Sequence, residues 1–170
     1  MTFEQVCKFA AYPGMKVMEE LGVEDKEVTY ARWVKYVNEY EEGASLYDGF
    51  YEVFNAFDGK IIQAVVSAKT IKQYNIDFVE KGLDKYMQTA ILADDTKKHK
   101  PDPEPLLECC RRLNIDPKEA IYIGDAYSDY LASANASMDF GYAKWGSVSS
   151  KGIENPDYTF KTPLDLLKLL

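Results

Sequence analysis

The chain has 170 residues, 46% of them apolar, which suits one domain with a buried core and a small appendage. Its 20 basic and 28 acidic residues leave a net charge of -8. That balance speaks against nucleic acid, which needs a basic surface to release counterions, and against anionic membranes. No apolar run approaches the ~20 residues that span a bilayer. The N-terminus, Met1-Thr2-Phe3-Glu4, has no charged-then-apolar leader pattern, so a cytoplasmic protein is expected.

The first part reads as helices. Thr2-Phe3-Glu4-Gln5 is a capping-box pattern, and Phe3, Val6, Cys7 and Ala10 follow at helical spacing. Pro13-Gly14 interrupts. Val17, Met18 and Leu21 mark a short second helix closed by Gly22. Tyr30, Trp33, Val34 and Val37 mark a third, ending near Glu41-Glu42-Gly43. This aromatic stripe is expected to pack against another helix, although a substrate pocket would use the same residues.

After Gly43 strands and helices alternate. Phe50 to Phe57 is a helix ending at Asp58-Gly59, and Ile61 to Val66 is a β-prone run of the kind covered on both faces. Ile71, Tyr74 and Phe78 carry a helix, Thr89 to Leu92 a weaker strand. Pro103 to Leu113 is a helix with Leu106, Leu107, Cys110 and Leu113 inward. Ala120 to Ile123 is a second buried strand, ending at Gly124-Asp125. Tyr130, Leu131 and Ala134 share a helical face. Phe140 to Ala143 and Tyr158 to Phe160 are strands, and Leu164 to Leu170 a last helix. The order predicts an α/β fold, a doubly wound parallel sheet with right-handed crossovers.

Three cysteines, Cys7, Cys109 and Cys110, make a poor disulfide framework, and Cys110 reads as a buried thiol. One histidine, His99, and no paired-cysteine spacing leave little for zinc. A serine or cysteine triad would have to use His99 as its base, and no other feature supports that.

In such sheets ligands bind beyond the carboxyl ends of the strands, and three segments there are polar. Val66-Ser67-Ala68-Lys69 offers a hydroxyl and N–H groups entering a helix, suited to a phosphate oxygen; an ordinary serine cap reads the same way. Gly124-Asp125-Ala126-Tyr127-Ser128-Asp129 brings two carboxylates to one loop, as Mg²⁺ prefers, but Ser128 or Asp129 also suits a helix cap. Lys97-Lys98-His99-Lys100-Pro101-Asp102-Pro103-Glu104-Pro105 is a stiff loop whose lysine suits phosphate charge, or a solvated basic loop.

Together and in this order, the segments resemble the haloacid dehalogenase-like hydrolases, in particular the phosphoglycolate phosphatase-like group with a helical cap. The matched stretches are Tyr47-Asp48-Gly49-Phe50, Val65 to Lys69, Lys100 to Leu107, Ile121 to Asp125 with Asp129, and Trp145-Gly146. The resemblance implies a partial helical cap over residues 1–45 and a Rossmann-like core over 46–170. It also implies a Mg²⁺-dependent phosphatase acting on a small phosphorylated metabolite. Ser67, with Ala68 N–H, would bind the phosphoryl group, Lys100 would steady its charge, and Asp125 and Asp129 would hold Mg²⁺. Relatives in the family include phosphosugar mutases and phosphonate hydrolases, so the leaving group stays open.

One part is missing. The family's nucleophile motif is Asp-x-Asp at the end of a first, central strand. None of the fourteen aspartates here is separated from another by one residue, and no strand precedes the helical part. A smaller departure is Ser137, within Ala136-Ser137-Met138, where the family usually has glycine. The resemblance implies that a strand, its loop and a cap helix, roughly 20–30 residues, are absent. The strands ending at Ser67 and Asp125 would then face each other with unpaired edges. The expected outcomes are a strand supplied in trans, by a homo-oligomer or another chain; collapse of the two strands together; or a shortened form of a longer protein. A non-catalytic binding protein on the same fold is the alternative to the enzyme. A flavodoxin-like sheet would need an early glycine-rich phosphate loop, which is not there.

Overall fold

The computed structural model describes residues 2, 5, 6, 9, 12–40 and 45–170. The chain divides into two compact units, residues 1–46 and 47–170.

In the first unit, Thr2 N–H donates to Gln5 Oε1 (2.8 Å) and Gln5 N–H to Thr2 Oγ1 (3.3 Å), the reciprocal bonds of a capping box. Phe3, Cys7 and Ala10 of the predicted first helix lie outside the described residues. Helix α1 is Gly14–Glu20. It closes at Gly22 (φ +64°), where Val23 N–H returns to Met18 O. Helix α2 is Lys26–Asn38, stopping short of the predicted 41–43. Phe9, Val17 and Met18 form a small core, with Val23 and Tyr30 packed on it. The aromatic stripe departs from expectation. Tyr30 packs inward, but α2 buries no residue fully, and Trp33 and Val37 stay exposed.

The second unit opens with α3, Phe50–Phe57, which buries Val53, Phe54 and Phe57. Gly49 precedes it at φ +89°, and a Cβ there would lie 2.6 Å from Leu164 Cγ, so only glycine fits. Strand β1 is Ala64–Val66. It is shorter than the apolar run predicted because Lys60 and Ile61 N–H turn back onto Phe57 O. Helix α4, Ile71–Tyr74, widens into a π-turn over Asn75–Val79. Strand β2 is Thr89–Ile91, helix α5 Glu104–Leu113, strand β3 Ile121–Gly124 and helix α6 Tyr127–Ala136. Strands β4, Asp139–Ala143, and β5, Tyr158–Phe160, follow. The last segment, Pro163–Leu169, is 3₁₀ rather than the α-helix expected.

Two inward faces differ from the sequence reading. Helix α5 buries Leu106, Cys109 and Cys110, and Leu107 is 41% exposed; the stripe runs through 106, 109, 110 and 113, and Leu107 sits about 100° from its centre. Helix α6 turns Asp129, Ala132, Ser133 and Ala136 inward, while Ala134 faces out. Small residues let α6 lie close on the sheet, and Tyr130 meets Phe140 edge-on at 5.4 Å from the side.

Among the described residues every strand pairing is parallel, as an α/β fold with helical crossovers requires. The strands form two sheets, β1-β2 and β3-β4-β5. Helix α5 packs on β1 and β2, α6 on β3 and β4, and the two helices pack on each other. Leu106, Cys110, Ala132, Ala136 and Met138 form one core layer over both sheets, with Val66 and Tyr122 against it. Ile121 and Ile123 turn to the other layer, with Val53, Phe57, Phe160 and Leu166.

β1 and β3 thus lie side by side beneath one helix layer without pairing. Among the described residues no main-chain hydrogen bond joins 63–67 to 120–125, so the strands have not closed on one another. Ala64 to Val66 and Ile121 to Ile123 are partly buried, whereas Phe140 and Tyr142 on β4 are buried. Val66 O accepts the Tyr122 hydroxyl at 3.2 Å, so that carbonyl avoids the ~1–3 kcal/mol that a fully buried orphan costs.

Two local features give direct tests. Ser137 ends α6 in the left-handed region (φ 57°, ψ 39°), where a Cβ is strained. Ser137→Gly is expected to stabilise the fold by ~0.5–1 kcal/mol in a denaturant titration. Arg112 on α5 donates to Ala90 O (3.2 Å) and Asp95 Oδ1 (2.6 Å), while Asp95 Oδ2 accepts Leu92 N–H (2.8 Å). Arg112, then Leu92 N–H, hold the Asp95 carboxyl below its usual range. Its contribution is therefore present above the unfolded pKa of ~3.9 and lost as pH falls through the folded value. Asp95→Asn is expected to cost ~1–2 kcal/mol at neutral pH and to flatten the acid limb of the stability–pH curve below about pH 4.

Candidate functional site

Ser67 leaves β1 through the last bond of its ladder, Ser67 N–H to Ile91 O at 2.9 Å. Its Oγ accepts Lys69 N–H at 3.3 Å. The cap of α4 is Thr70, whose Oγ1 accepts Gln73 N–H (3.4 Å). Ser67 is therefore not the helix cap, and its hydroxyl stands at a strand end. Lys69 turns its ammonium away, to Asp77.

The basic loop is held by its own acids. Glu104 accepts Lys97 N–H (3.1 Å) and Lys98 N–H (3.0 Å), and Asp102 accepts Glu104 N–H (3.0 Å). Asn135 on α6 donates to Pro101 O at 3.2 Å. Lys97 and Lys98 stay in solvent, while Lys100 turns inward with 15% of its side chain exposed. Its ammonium lies 2.7 Å from Asp129 Oδ1 and 2.7 Å from Tyr122 OH. Burial works against the charged ammonium, but Tyr122 and Asp129 outweigh it and hold Lys100 above its ordinary pKa. It is charged throughout the physiological range.

Tyr122 completes the contact. Its hydroxyl accepts from Lys100 and donates to Val66 O at 3.2 Å, and burial pushes its pKa up to about 12. Sequence reasoning passed over it. The signal was a phenol in the strand Ile121-Tyr122-Ile123-Gly124, since an inward tyrosine hydroxyl needs a partner.

Asp129, 4% exposed, reaches back from α6. Its Oδ2 accepts Asp125 N–H (3.2 Å) and Ala126 N–H (3.1 Å), so it caps the helix and pairs with Lys100 at once. Gly124 makes room, because a Cβ there would lie 2.8 Å from Asp129 Cγ. Asp125 sits beyond β3 with Gly146 beside it, 3.2 Å from Oδ2 to where a Cβ would be. Burial, then the charge of Asp129, raise the Asp125 carboxyl above its usual pKa.

Ser67, Ala68 and Lys100 line one cavity with Val66, Leu92, Thr96, His99 and Pro105. Lys100 joins that cavity to Asp129, and Asp129 to the Asp125 main chain. The five predicted residues therefore gather at the carboxyl ends of β1 and β3. His99 lines the cavity with Ser67, but no hydrogen bond links them. Cys109 and Cys110 are free and buried, and burial pushes the Cys109 thiol up to about 11; Cys7 lies outside the described residues.

The carboxylates fit Mg²⁺ only in part. Asp125 offers a carboxyl whose pKa is raised first by burial and then by the charge of Asp129. Asp129 has one oxygen on two amides and the other on Lys100. Among the described residues no three His, Cys, Asp or Glu side chains cluster for a metal. A hard cation takes six or more oxygens, and Asp125 and Asp129 alone do not supply that number.

Comparisons with known proteins give the family and the fold. The profile of the haloacid dehalogenase-like hydrolases matches residues 1–143, and the chain belongs to that family. A Clostridium perfringens protein, provisionally named pyrophosphatase PpaX, is 38% identical over 91 residues, 52% of this chain and 42% of the relative. The pyrophosphatase PpaX of Bacillus velezensis is 27% identical over 170 residues, 98% of this chain and 79% of the relative. A crystal structure from Lactobacillus plantarum, provisionally named a phosphoglycolate phosphatase, superposes with TM-score 0.88 at 27% identity, covering 100% of this chain and 83% of that one. The chain spans less than half the length of the Clostridium perfringens relative, and the relatives carry the names of pyrophosphatases and a phosphatase. Among the described residues no helix is long and apolar enough to cross a membrane.

Proposed function

We propose that this chain carries the phosphate-binding half of a Mg²⁺-dependent phosphatase acting on a small phosphorylated metabolite. The observation that carries the reading is the shared cavity of Ser67, Ala68 and Lys100, with Lys100 linked through Asp129 to Asp125. A hydroxyl, an N–H at a strand end and a fixed ammonium stabilise a phosphoryl group electrostatically. Ser67 and Ala68 hold its oxygens, and Lys100 balances their charge. Asp125 and Asp129 would hold Mg²⁺, which neutralises phosphate charge when bound.

The second reading, a binding protein without turnover, is favoured by one observation: no Asp-x-Asp stands anywhere in the sequence. A form extended upstream by a segment carrying that motif separates the two. On the enzyme reading it hydrolyses an aryl phosphate with Mg²⁺, stops with a chelator, and loses ~10²-fold or more in kcat on Lys100→Met. An inactive extended form would leave only the binding reading.

A further inference from the structure

Lys100 carries the charge of the cavity on a flexible four-carbon stem with three N–H donors, so its neighbours decide where that charge stands. Asp129, on α6, takes one donor at 2.7 Å and is itself held by the Asp125 and Ala126 N–H groups. The Tyr122 hydroxyl, from β3, takes a second at 2.7 Å. A carboxylate alone would leave the ammonium free to swing about it. Two acceptors on different elements leave it a narrow range of positions, with the third N–H unspent.

The phenol also has a fixed order of donation. An ammonium cannot accept, so Tyr122 accepts from Lys100 and its own hydrogen goes to Val66 O at 3.2 Å. Each bond of this relay polarises the next. Val66 is the last residue of β1, and Ser67 follows it. Among the described residues the phenol makes the only hydrogen bond between 63–67 and 120–125, since β1 and β3 share no ladder. Tyr122 and Val66 both pack on the layer of Leu106, Cys110 and Ala132, which keeps the hydroxyl in place. Ser67 Oγ accepts Lys69 N–H and still has a hydrogen to donate.

We infer that Tyr122 is a positioning residue: its hydroxyl braces the Lys100 ammonium against the end of β1, so that the third ammonium N–H and the Ser67 hydroxyl address one phosphate. The inference rests on the phosphate reading of the cavity that Ser67 and Lys100 line together. A tyrosine that only filled the core would need its ring and not this relay.

The test compares the affinity of wild type, Tyr122→Phe and Met138→Ala for inorganic phosphate, with Mg²⁺, on the full chain, and follows the Lys100 ammonium by NMR. Tyr122→Phe keeps the ring and removes the brace. Met138→Ala loosens the same core layer and removes none of the Lys100 or Tyr122 hydrogen bonds. Tyr122→Phe is expected to bind phosphate ~10-fold more weakly, the scale of one hydrogen bond to a charged group. Its Lys100 ammonium signal should shift and exchange faster with water, while Met138→Ala keeps the wild-type affinity and signal. Wild-type affinity in Tyr122→Phe would overturn the inference alone, as would weaker binding with the Lys100 signal unmoved. An equal loss in both variants would make the role structural and overturn it too. A wild type that binds no phosphate would bring down the reading of the cavity, and the inference with it.

Discussion

Residues 1–170, assayed with an aryl phosphate and Mg²⁺, are expected to turn over no faster than their own Asp125→Ala variant. The cavity has groups that stabilise phosphate charge, but none placed to attack phosphorus. Ser67 Oγ is engaged by Lys69 N–H, and no base is hydrogen-bonded to it. Hydrolases stripped of their nucleophile keep only ~10³–10⁴-fold over water from charge stabilisation and binding. Phosphate monoesters react so slowly unaided, with enzymes reaching up to ~10²¹-fold acceleration, that such a residue of catalysis would be invisible. Joining an upstream segment with Asp-x-Asp is expected to raise the rate by ~10⁶-fold or more. Clear turnover by residues 1–170 that survives Asp125→Ala would contradict this assignment of roles.

Asp129→Ala is expected to be the most damaging single substitution for stability in the second unit, costing ~3–5 kcal/mol. It leaves the Lys100 ammonium buried without its carboxylate and frees the Asp125 and Ala126 N–H groups together. For a chain of this size that lowers Tm on the order of 10 °C. Asp129→Asn keeps an acceptor for the two amides and should fall between wild type and Asp129→Ala. Adding Lys100→Met to Asp129→Ala removes the stranded charge and should restore part of the loss. If Asp129→Ala melts with the wild type, the ion pair is not the joint described.

The elements were legible where periodicity and punctuation agreed. Phe50 to Phe57, bracketed by glycines, appears as read, and so does Ile121 to Gly124 to within a residue. Inward faces were harder. Leu107 reads as core by type, yet the stripe through Leu106 and Cys110 leaves it outside. On α6 Tyr130, Leu131 and Ala134 were read as sharing a face, whereas close packing buries Ala132, Ser133 and Ala136. The candidate residues were read from order and strand-end position, but Tyr122 was not, because its partners, Lys100 and Val66 O, are 22 and 56 residues away in sequence. The same distance hid the double use of Asp129, which looked like a choice between cap and ligand. The lack of an Asp-x-Asp motif was legible in the sequence, but that β1 and β3 stand unpaired beneath α5 and α6, which pack on both sheets and on each other, was not.

The most direct test of the account is to titrate inorganic phosphate, with Mg²⁺, into residues 1–170 and follow backbone and lysine-ammonium NMR shifts. The proposed phosphate site predicts saturable changes concentrated at Ser67, Ala68, Lys100 and Asp125, abolished by Lys100→Met. Shifts scattered over the exposed lysines, or unchanged in the Lys100→Met variant, would contradict it.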